Sequence, residues 1–193
     1  LVAPGNAFGL DRDEGLRDSW AAAGLNTALF PTVEVGDGLL DQGLAGLSPL
    51  SGAFDWVAGN PPYAGEGLKG LNDEAVMALY ARYELMRLRH REPGPSADQL
   101  RRTPIEVLFV ERFLDLCGAG GLVAMVLPVG ILANDRWRYV REWLLERATL
   151  QAVVGLPRTT FRGGATTAKT CLLIAGKRPA PPGHEVVLAE ADN

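Results

Sequence analysis

The segment Phe54-Asp55-Trp56-Val57-Ala58-Gly59 runs directly into Asn60-Pro61-Pro62-Tyr63. The first six residues are largely apolar and predict a strand, and the proline pair ends it because proline cannot donate a ladder hydrogen bond. Ligands of open parallel sheets collect beyond the carboxyl ends of the strands. The segment therefore predicts a strand of a sheet and, immediately after it, a polar loop placed to meet a ligand.

Short apolar runs alternate with longer amphipathic stretches along the whole chain. This alternation predicts an α/β domain with a mainly parallel sheet. The expected strands are 7–10, 32–35, 54–58, 122–127, 150–156 and 170–175, followed by an edge strand at 185–189. The expected helices are 13–23, 72–91, 104–117 and 134–147, and a glycine-rich stop at 118–121 follows the third of them.

The composition is that of a single soluble domain. The chain has 193 residues, of which 47% are hydrophobic, and no apolar run is long enough to span a bilayer or to act as a signal peptide. We therefore expect a cytoplasmic protein without a membrane partner. Cys117 and Cys171 lie in apolar surroundings, which predicts packed thiols. Neither has a second Cys or His at ligand spacing, so we expect no metal site.

Charge is distributed unevenly along the chain. Residues 1–75 carry 3 basic and 11 acidic side chains, whereas residues 76–193 carry 16 basic and 12 acidic ones. Arginines crowd one stretch of the second part: Arg82, Arg87, Arg89, Arg91, Arg101 and Arg102. A polyanion could bind this part of the chain. The same stretch could equally be a solvent-exposed helix face.

Polar residues follow three consecutive strands of the predicted sheet: Asp11 the first, Asp37 the second and Asn60 the third. An acid after the second strand of such a sheet commonly binds ribose, because a carboxylate accepts two hydrogen bonds from a diol. Structural alternatives remain open for the acids. Asp11 or Asp13 could cap a helix, and Asp37 could serve a Gly-Asp-Gly turn.

Asn60 offers the most specific chemistry. An exocyclic amine on an aromatic base is a poor nucleophile, because its lone pair is delocalised into the ring. Two acceptors aimed at its N–H bonds, the side-chain oxygen of Asn60 and the carbonyl of Pro61, would localise that lone pair. Pro62 keeps the carbonyl rigid, and Tyr63 offers a flat face for stacking a base. As an alternative, the prolines only end the strand and Tyr63 only packs.

Five segments in order resemble successive motifs of the amino-methylating DNA methyltransferases. They are Gly9-Leu10-Asp11-Arg12-Asp13, Val35-Gly36-Asp37, residues 54–63, residues 120–128 and residues 150–177. The match is greatest to the N6-adenine class of type I and large single-chain restriction-modification and phage-defence systems. The resemblance implies a Rossmann-like S-adenosylmethionine-dependent methyltransferase fold, with a mainly parallel sheet and helices on both faces.

The resemblance also implies roles for individual residues. Asp11 would bind the ribose of S-adenosylmethionine, and Asp37 with the backbone of Gly38 would bind its adenine. Asn60 and Pro61, supported by Pro62 and Tyr63, would orient the amino group of an adenine that has left the DNA duplex, because a paired base is out of reach. No metal or nucleophilic side chain is required when the methyl donor is a sulfonium.

The resemblance also implies contacts with the target base and with DNA from the loop between the strands expected at 150–156 and 170–175. Phe161 matches the second aromatic residue that stands beside the target base in the family. Arg158, Arg162 and Lys169 lie in the same loop, where they could meet phosphates of double-stranded DNA or face the solvent. A specificity subunit or a target-recognition domain would read the DNA sequence.

Two parts of the family pattern have no match. The first strand and the glycine-rich loop that holds the methionine end of the cofactor should precede Asp11, and residues 1–6 contain no such pattern. No target-recognition domain follows the core. We therefore expect a partial methyltransferase catalytic domain over residues 1–178, with its first strand missing, and a proline-rich tail over residues 179–193. Cofactor binding and turnover are expected of the parent protein rather than of this chain alone.

Two other functions are compatible with the same residues. An enzyme of this superfamily could methylate another planar amide or amine, such as a glutamine side chain of a protein or a base of ribosomal RNA. Alternatively, the chain could be a non-catalytic DNA-binding or scaffold module that has kept the fold.

Overall fold

The computed structural model describes residues 8–11, 13–23, 32–40, 51–63, 68–161 and 169–192, with the backbone alone at residues 17, 20 and 32–35. By its contacts the chain divides into two units, Leu1–Pro49 and Leu50–Asn193. The second unit contains most of the secondary structure.

The first unit contains a pair of parallel strands joined through a helix. Strand β1 (Phe8–Asp11) pairs with β2 (Thr32–Val35) so that Asp11 lies opposite Val35. Helix α1 spans Leu16–Ala22 and begins later than expected. The delay has a local cause: the Asp13 carboxylate accepts the N–H of Gly15, and its carbonyl accepts the N–H of Leu16. Asp13 thus forms a turn before the helix instead of capping it.

The second unit is built on a five-stranded mixed sheet with the order β3-β4-β6-β5-β7. Its strands are β3 (Phe54–Gly59), β4 (Cys117–Pro128), β5 (Thr149–Gly155), β6 (Thr170–Gly176) and β7 (Val187–Glu190). Only β6 runs against its neighbours, so four of these five strands point the same way. The predicted α/β class with a mainly parallel sheet is confirmed.

Strand β4 starts at Cys117, five residues before the strand expected over 122–127. The glycines of this stretch permit a close approach to the start of β3. A Cβ atom at Gly121 would lie 2.7 Å from the carbonyl oxygen of Asp55 and 2.7 Å from Cys117 Sγ, and one at Gly118 would lie 3.1 Å from the carbonyl oxygen of Gly52. Glycine is therefore required here for strand pairing. The preceding helix does end before these glycines, at Leu116, but the glycines themselves belong to the strand.

Six helices follow in the second unit. They are α2 (Asp73–Arg82), α3 (Glu84–Arg89), α4 (Ala97–Leu100), α5 (Ile105–Leu116), α6 (Val129–Ala133) and α7 (Arg138–Arg147), the last preceded by a 3-10 turn at Asp135–Trp137. The helix expected over 72–91 is divided at Tyr83, which is extended. The carboxylate of Glu111 accepts the backbone N–H groups of Glu84 and Leu85, both at 2.8 Å. This half-buried carboxylate starts α3 and explains the break.

The core of the second unit lies between its helices and one face of the sheet. Alternate residues of β4 and β6 point into it: Val123, Met125, Leu127, Leu173 and Ala175. The helices contribute Leu85, Val107, Val110, Phe113, Leu114, Ile131, Val140, Trp143 and Leu144. Cys117 and Cys171 are buried free thiols, and burial raises the pKa of both. Among the helices of the described segments, none has the length and apolar character needed to cross a bilayer.

Candidate functional site

Two carboxylates lie at adjacent strand ends in the first unit. Asp11 is the last residue of β1, and its carbonyl accepts the N–H of Gly36, the residue after β2, at 2.8 Å. Asp37 follows one residue later. Because β1 and β2 are parallel, both acids stand at the carboxyl edge of this strand pair. The sequence predicted this placement.

Each of these carboxylates uses one oxygen to form a local turn. Asp11 Oδ1 accepts the N–H of Asp13 at 2.9 Å, and Asp37 Oδ1 accepts the N–H of Leu39 at 3.0 Å. The turn-forming alternatives are therefore real. These turns leave one oxygen of each carboxylate available, because Oδ2 of each acid has no hydrogen-bond partner among the residues that the structure describes. Asp11 is exposed, while Asp37 and Gly38 are half-buried. A carboxylate with a free oxygen at a strand end can accept hydrogen bonds from a ribose diol.

The segment 60–63 forms the loop that leaves β3 in the second unit. Gly59, the last residue of β3, is paired with Met125 of β4, so Asn60 is the first residue beyond the sheet. Asn60 and Pro62 are exposed, Tyr63 is half-buried and Pro61 is buried. An exposed amide on a loop anchored by a buried proline can meet a ligand without moving the backbone.

The side chain of Asn60 lies beside the hydroxyl of Tyr63. Burial raises the pKa of Tyr63, and the contact with the Asn60 side chain opposes part of that rise. The phenol is therefore neutral at ordinary pH, which suits a residue that would stack on a neutral base. The two polar members of the segment are therefore in contact with each other.

The loop between β5 and β6 emerges at the same edge of the sheet as Asn60. β5 ends at Gly155, opposite Cys171 near the start of β6, and β4 ends at Pro128, opposite Thr170. Since β3 and β4 are parallel, the carboxyl ends of β3, β4 and β5 share this edge. Neighbouring strands lie about 4.8 Å apart, so β3 and β6 are separated by roughly 10 Å.

The residues predicted in this loop have different environments. Phe161 is half-buried and Arg158 is exposed. Lys169 forms an ion pair with Glu190 of β7, with Nζ 2.7 Å from Oε1. Arg162 lies outside the described residues. The structure therefore brings the Phe161 loop to the edge that carries Asn60, while the phosphate contacts of the loop stay predictions.

A second group of polar side chains surrounds a cavity of about 580 Å³ in the second unit. It is lined by the 88–95 segment together with Gln99, Arg136 and Tyr139. The sequence drew attention to the crowded arginines but missed Arg136 and Tyr139. An arginine directly before a tryptophan at 136–137 was the available signal, since a guanidinium commonly stacks on an indole.

Comparison with known families gives a match to the Eco57I restriction-modification methylase family over residues 25–161. The matched stretch contains Asp37, the 60–63 segment and Phe161. One similar curated protein is the type II methyltransferase M.PaeR7I of Pseudomonas aeruginosa, which is 35% identical over 130 residues. The aligned region is 64% of this chain and 19% of that protein, so the chain corresponds to about a fifth of its relative.

Solved structures show the same fold at lower identity. A Listeria monocytogenes protein described as a class I S-adenosylmethionine-dependent methyltransferase superposes with a TM-score of 0.62 and 24% identity, over 95% of this chain and 49% of that one. The M protein of the type I restriction enzyme EcoKI superposes with a TM-score of 0.56 and 19% identity, over 88% of this chain and 30% of that one. The Rossmann-like methyltransferase fold predicted from the sequence is confirmed.

Proposed function

Because the chain belongs to the Eco57I restriction-modification methylase family, we propose that the protein transfers a methyl group from S-adenosylmethionine to the N6 amino group of adenine in double-stranded DNA. The reaction would be the modification step of a restriction-modification or defence system. The observation that carries this proposal is the Asn60–Tyr63 loop, which leaves the carboxyl end of β3 with an exposed amide and a buried proline.

The Asn60 loop supplies the two acceptors that the amino group needs. The side-chain oxygen of Asn60 and the carbonyl of Pro61 accept its two N–H bonds. The nitrogen lone pair then has less conjugation with the ring and is available for attack. Proline at position 62 restricts the backbone of Pro61, so the carbonyl does not have to be ordered during the reaction. Preorganised acceptors of this kind cost little reorganisation when the base arrives.

The target adenine must leave the duplex, because its amino group is paired there. Tyr63 supplies one aromatic face for the extruded base, and Phe161 supplies a second. Stacking on an aromatic side chain is worth about 1–3 kcal/mol per base. This offsets part of the unstacking energy. Both residues stand at the same edge of the second unit's sheet, which supports this pairing of roles.

The carboxylates of the first unit fit the cofactor. Asp11 would accept hydrogen bonds from the ribose hydroxyls, while Asp37 and the backbone of Gly38 would bind the adenine. Each acid keeps one oxygen free of partners in the described part of the chain. Asp11 needs this oxygen to bind the ribose hydroxyls, and Asp37 needs it to accept an N–H of the adenine. When bound, S-adenosylmethionine supplies a methyl group on a sulfonium, which needs no metal ion.

The proposal also covers the contacts with DNA, the part of the enzyme that reads the DNA sequence, and the location in the cell. Arg158, Arg162 and Lys169 of the β5–β6 loop would contact backbone phosphates. A specificity subunit or a target-recognition domain would read the sequence; the EcoKI M protein, which shares the fold, is likewise named as part of a larger enzyme. A cytoplasmic location belongs to the same proposal, since the substrate is cellular DNA.

A methyl-transfer assay tests the proposal. The full-length protein is incubated with labelled S-adenosylmethionine and, separately, with duplex DNA, ribosomal RNA and protein, and the modified product is identified by mass spectrometry. We expect N6-methyladenine in DNA, and a loss of about 10²–10³-fold in kcat for Asn60→Ala. Asn72→Ser is the matched control, because Asn72 caps α2 and serine caps equally well. Transfer confined to protein or RNA, or full activity of Asn60→Ala, would contradict the proposal.

A further inference from the structure

The cavity beside the 88–95 segment is strongly basic. Its lining includes Arg89, Arg91 and Arg136, and Glu92 is the only carboxylate that faces it. Several other arginines of the second unit have a carboxylate partner, as Arg138 has Glu142. None of the three cavity arginines forms an ion pair with any residue in the described segments. The half-buried Glu106 interacts electrostatically with Arg136 without forming an ion pair, so the positive charge of this cavity is only partly compensated.

Two of these arginines are stacked on one tryptophan. The guanidinium carbons of Arg89 and Arg136 lie 5.2 Å and 4.6 Å from the centre of the Trp137 ring, and Trp137 itself is 3% exposed. Stacking uses the flat faces of the guanidinium groups and leaves in-plane N–H donors for an acceptor, apart from Arg89 Nη2, which donates to the carbonyl of Arg102 at 3.4 Å. Holding two like charges on one indole raises the electrostatic energy of the cavity, and an anion would lower it.

The wall of the cavity also contains polar atoms that lack well-formed hydrogen bonds. Arg89 Nε and the Tyr139 hydroxyl are both shielded from solvent without a hydrogen-bond partner of good geometry in the described part of the chain. The two side chains touch, but outside good hydrogen-bond geometry. Buried polar groups are normally satisfied, and exceptions point to a missing ligand, ion or water. Next to them, burial and then the charge of Arg89 lower the pKa of His90.

We propose that this cavity is an anion site that binds a backbone phosphate of DNA through Arg89, Arg91 and Arg136, apart from the target-base loop. The identity of the ligand rests on the proposed function, because DNA is the polyanion which that reaction requires. The site shares no residue with the 60–63 segment. A phosphate contact there would orient the duplex without reading its sequence.

A backbone phosphate fits this cavity better than a free nucleotide does. A nucleotide site would offer an open aromatic face for the base, but the indole of Trp137 is buried beneath two guanidinium groups, and the Tyr139 ring in the cavity wall is half-buried. What remains for recognition is charge and hydrogen-bond donors, which suit a phosphate oxygen. The cavity also lies within residues 76–193, the part of the chain that carries the excess of basic side chains.

The test compares Arg91→Gln, Arg136→Gln and their double variant with Arg138→Gln as a control. Arg138 lies next to Trp137 in the chain, but it is paired with Glu142, is 74% exposed and does not line the cavity. DNA affinity of the full-length protein is measured by fluorescence anisotropy between about 50 and 200 mM salt. We expect the double variant to reduce the slope of log Kobs against log salt by about 0.9, the value for one lost phosphate contact. The loss should be equal for cognate and unrelated DNA, and Arg138→Gln should keep the slope of the unaltered protein.

A second measurement follows inorganic phosphate directly by ³¹P line broadening in the presence of the protein. Broadening that disappears in the double variant and persists in Arg138→Gln supports the anion site. Unchanged broadening in the double variant overturns it. Phosphate binding that is lost in the double variant while the DNA salt slope stays the same overturns the assignment to DNA and favours a free phosphorylated molecule.

Failure of the proposed function would give a different pattern. In that case the unaltered protein would not methylate DNA, although the phosphate and salt-slope results could still hold and support the anion site. Conversely, normal DNA methylation with an unchanged salt slope would overturn the assignment of this site to DNA and leave the proposed function standing.

Discussion

The ring of Phe113 fills the space directly beside Gly59. A Cβ atom at Gly59 would lie 2.8 Å from Cζ of Phe113, closer than non-bonded carbon atoms approach. Phe113 belongs to α5 and is 7% exposed, so it has little freedom to move away. Helix α5 therefore packs against the last residue of β3 and fixes the point from which Asn60 leaves the sheet.

Substitution Gly59→Ala should damage both stability and the Asn60 loop. Overpacking of a buried contact costs about 1–3 kcal/mol, and a displacement of about 1 Å at a catalytic group can cost 10²-fold in rate. We expect a lower urea midpoint together with a reduced kcat/KM for methyl transfer. Gly70→Ala is the matched control, since a Cβ there meets nothing within 4 Å. If Gly59→Ala loses stability but keeps full kcat/KM, the contact serves packing alone.

The two arginines that share Asp115 should differ greatly in their contribution to stability. Arg112 Nη1 lies 2.8 Å from Asp115 Oδ2 with its side chain 2% exposed, whereas Arg82 lies at 3.5 Å and is 33% exposed. Arg112 is buried while Asp115 is 32% exposed, so losing Arg112 removes both its ion pair and a packed side chain, whereas an exposed pair is worth under about 1 kcal/mol. We expect Arg112→Ala to lower the free energy of unfolding far more than Arg82→Ala in urea titrations. Equal losses of unfolding free energy would show that burial of the arginine does not determine how much its contact with Asp115 stabilises the protein.

Some elements of this fold can be predicted from short stretches of sequence, whereas others depend on contacts between residues that are distant in the chain. The end of β3 and its Pro-Pro stop are local, and so are the turn residues Asp11 and Asp37, which is why they were predicted. Long-range contacts were missed. Glu111 begins α3 from 27 residues away, and β4 extends through the glycines at 118–121 because they face the start of β3. No local pattern contains those partners.

The candidate sites likewise include residues that local sequence predicts and residues that only the folded structure brings together. The polar residues at the strand ends follow from the alternation of elements, whereas the cavity joins the 88–95 segment to Arg136 and Tyr139, which are distant in sequence. A charge pattern along the chain cannot reveal which arginines remain without a carboxylate partner. That depends on how α3, α5 and α7 pack together.

Protonation of His90 should destabilise the protein as the pH falls. Burial first, and then the neighbouring Arg89 charge, lower the pKa of His90 below its ordinary value of 6.5. The unfolded chain therefore binds more protons than the folded one in this range, so stability is lost as the pH drops below about 6.5. His90→Gln should flatten the dependence of the unfolding free energy on pH between about 7 and about 5.5. His184→Gln is the control, and identical pH profiles for the unaltered protein and His90→Gln would contradict the assignment.

The ion pair between Lys169 and Glu190 should compete with the contact predicted between Lys169 and DNA. The two side chains are 44% and 74% exposed, and a surface pair of this kind contributes little to stability. A phosphate can therefore displace the carboxylate. We expect Glu190→Gln to tighten DNA binding and Lys169→Gln to weaken it, with the salt slope smaller by about 0.9 in the latter. Glu185→Gln, which removes the same charge from another exposed position of the second unit, measures the effect of net charge alone. If Lys169→Gln leaves the slope unchanged, the role of Lys169 is to hold β7 through Glu190 and not to bind DNA.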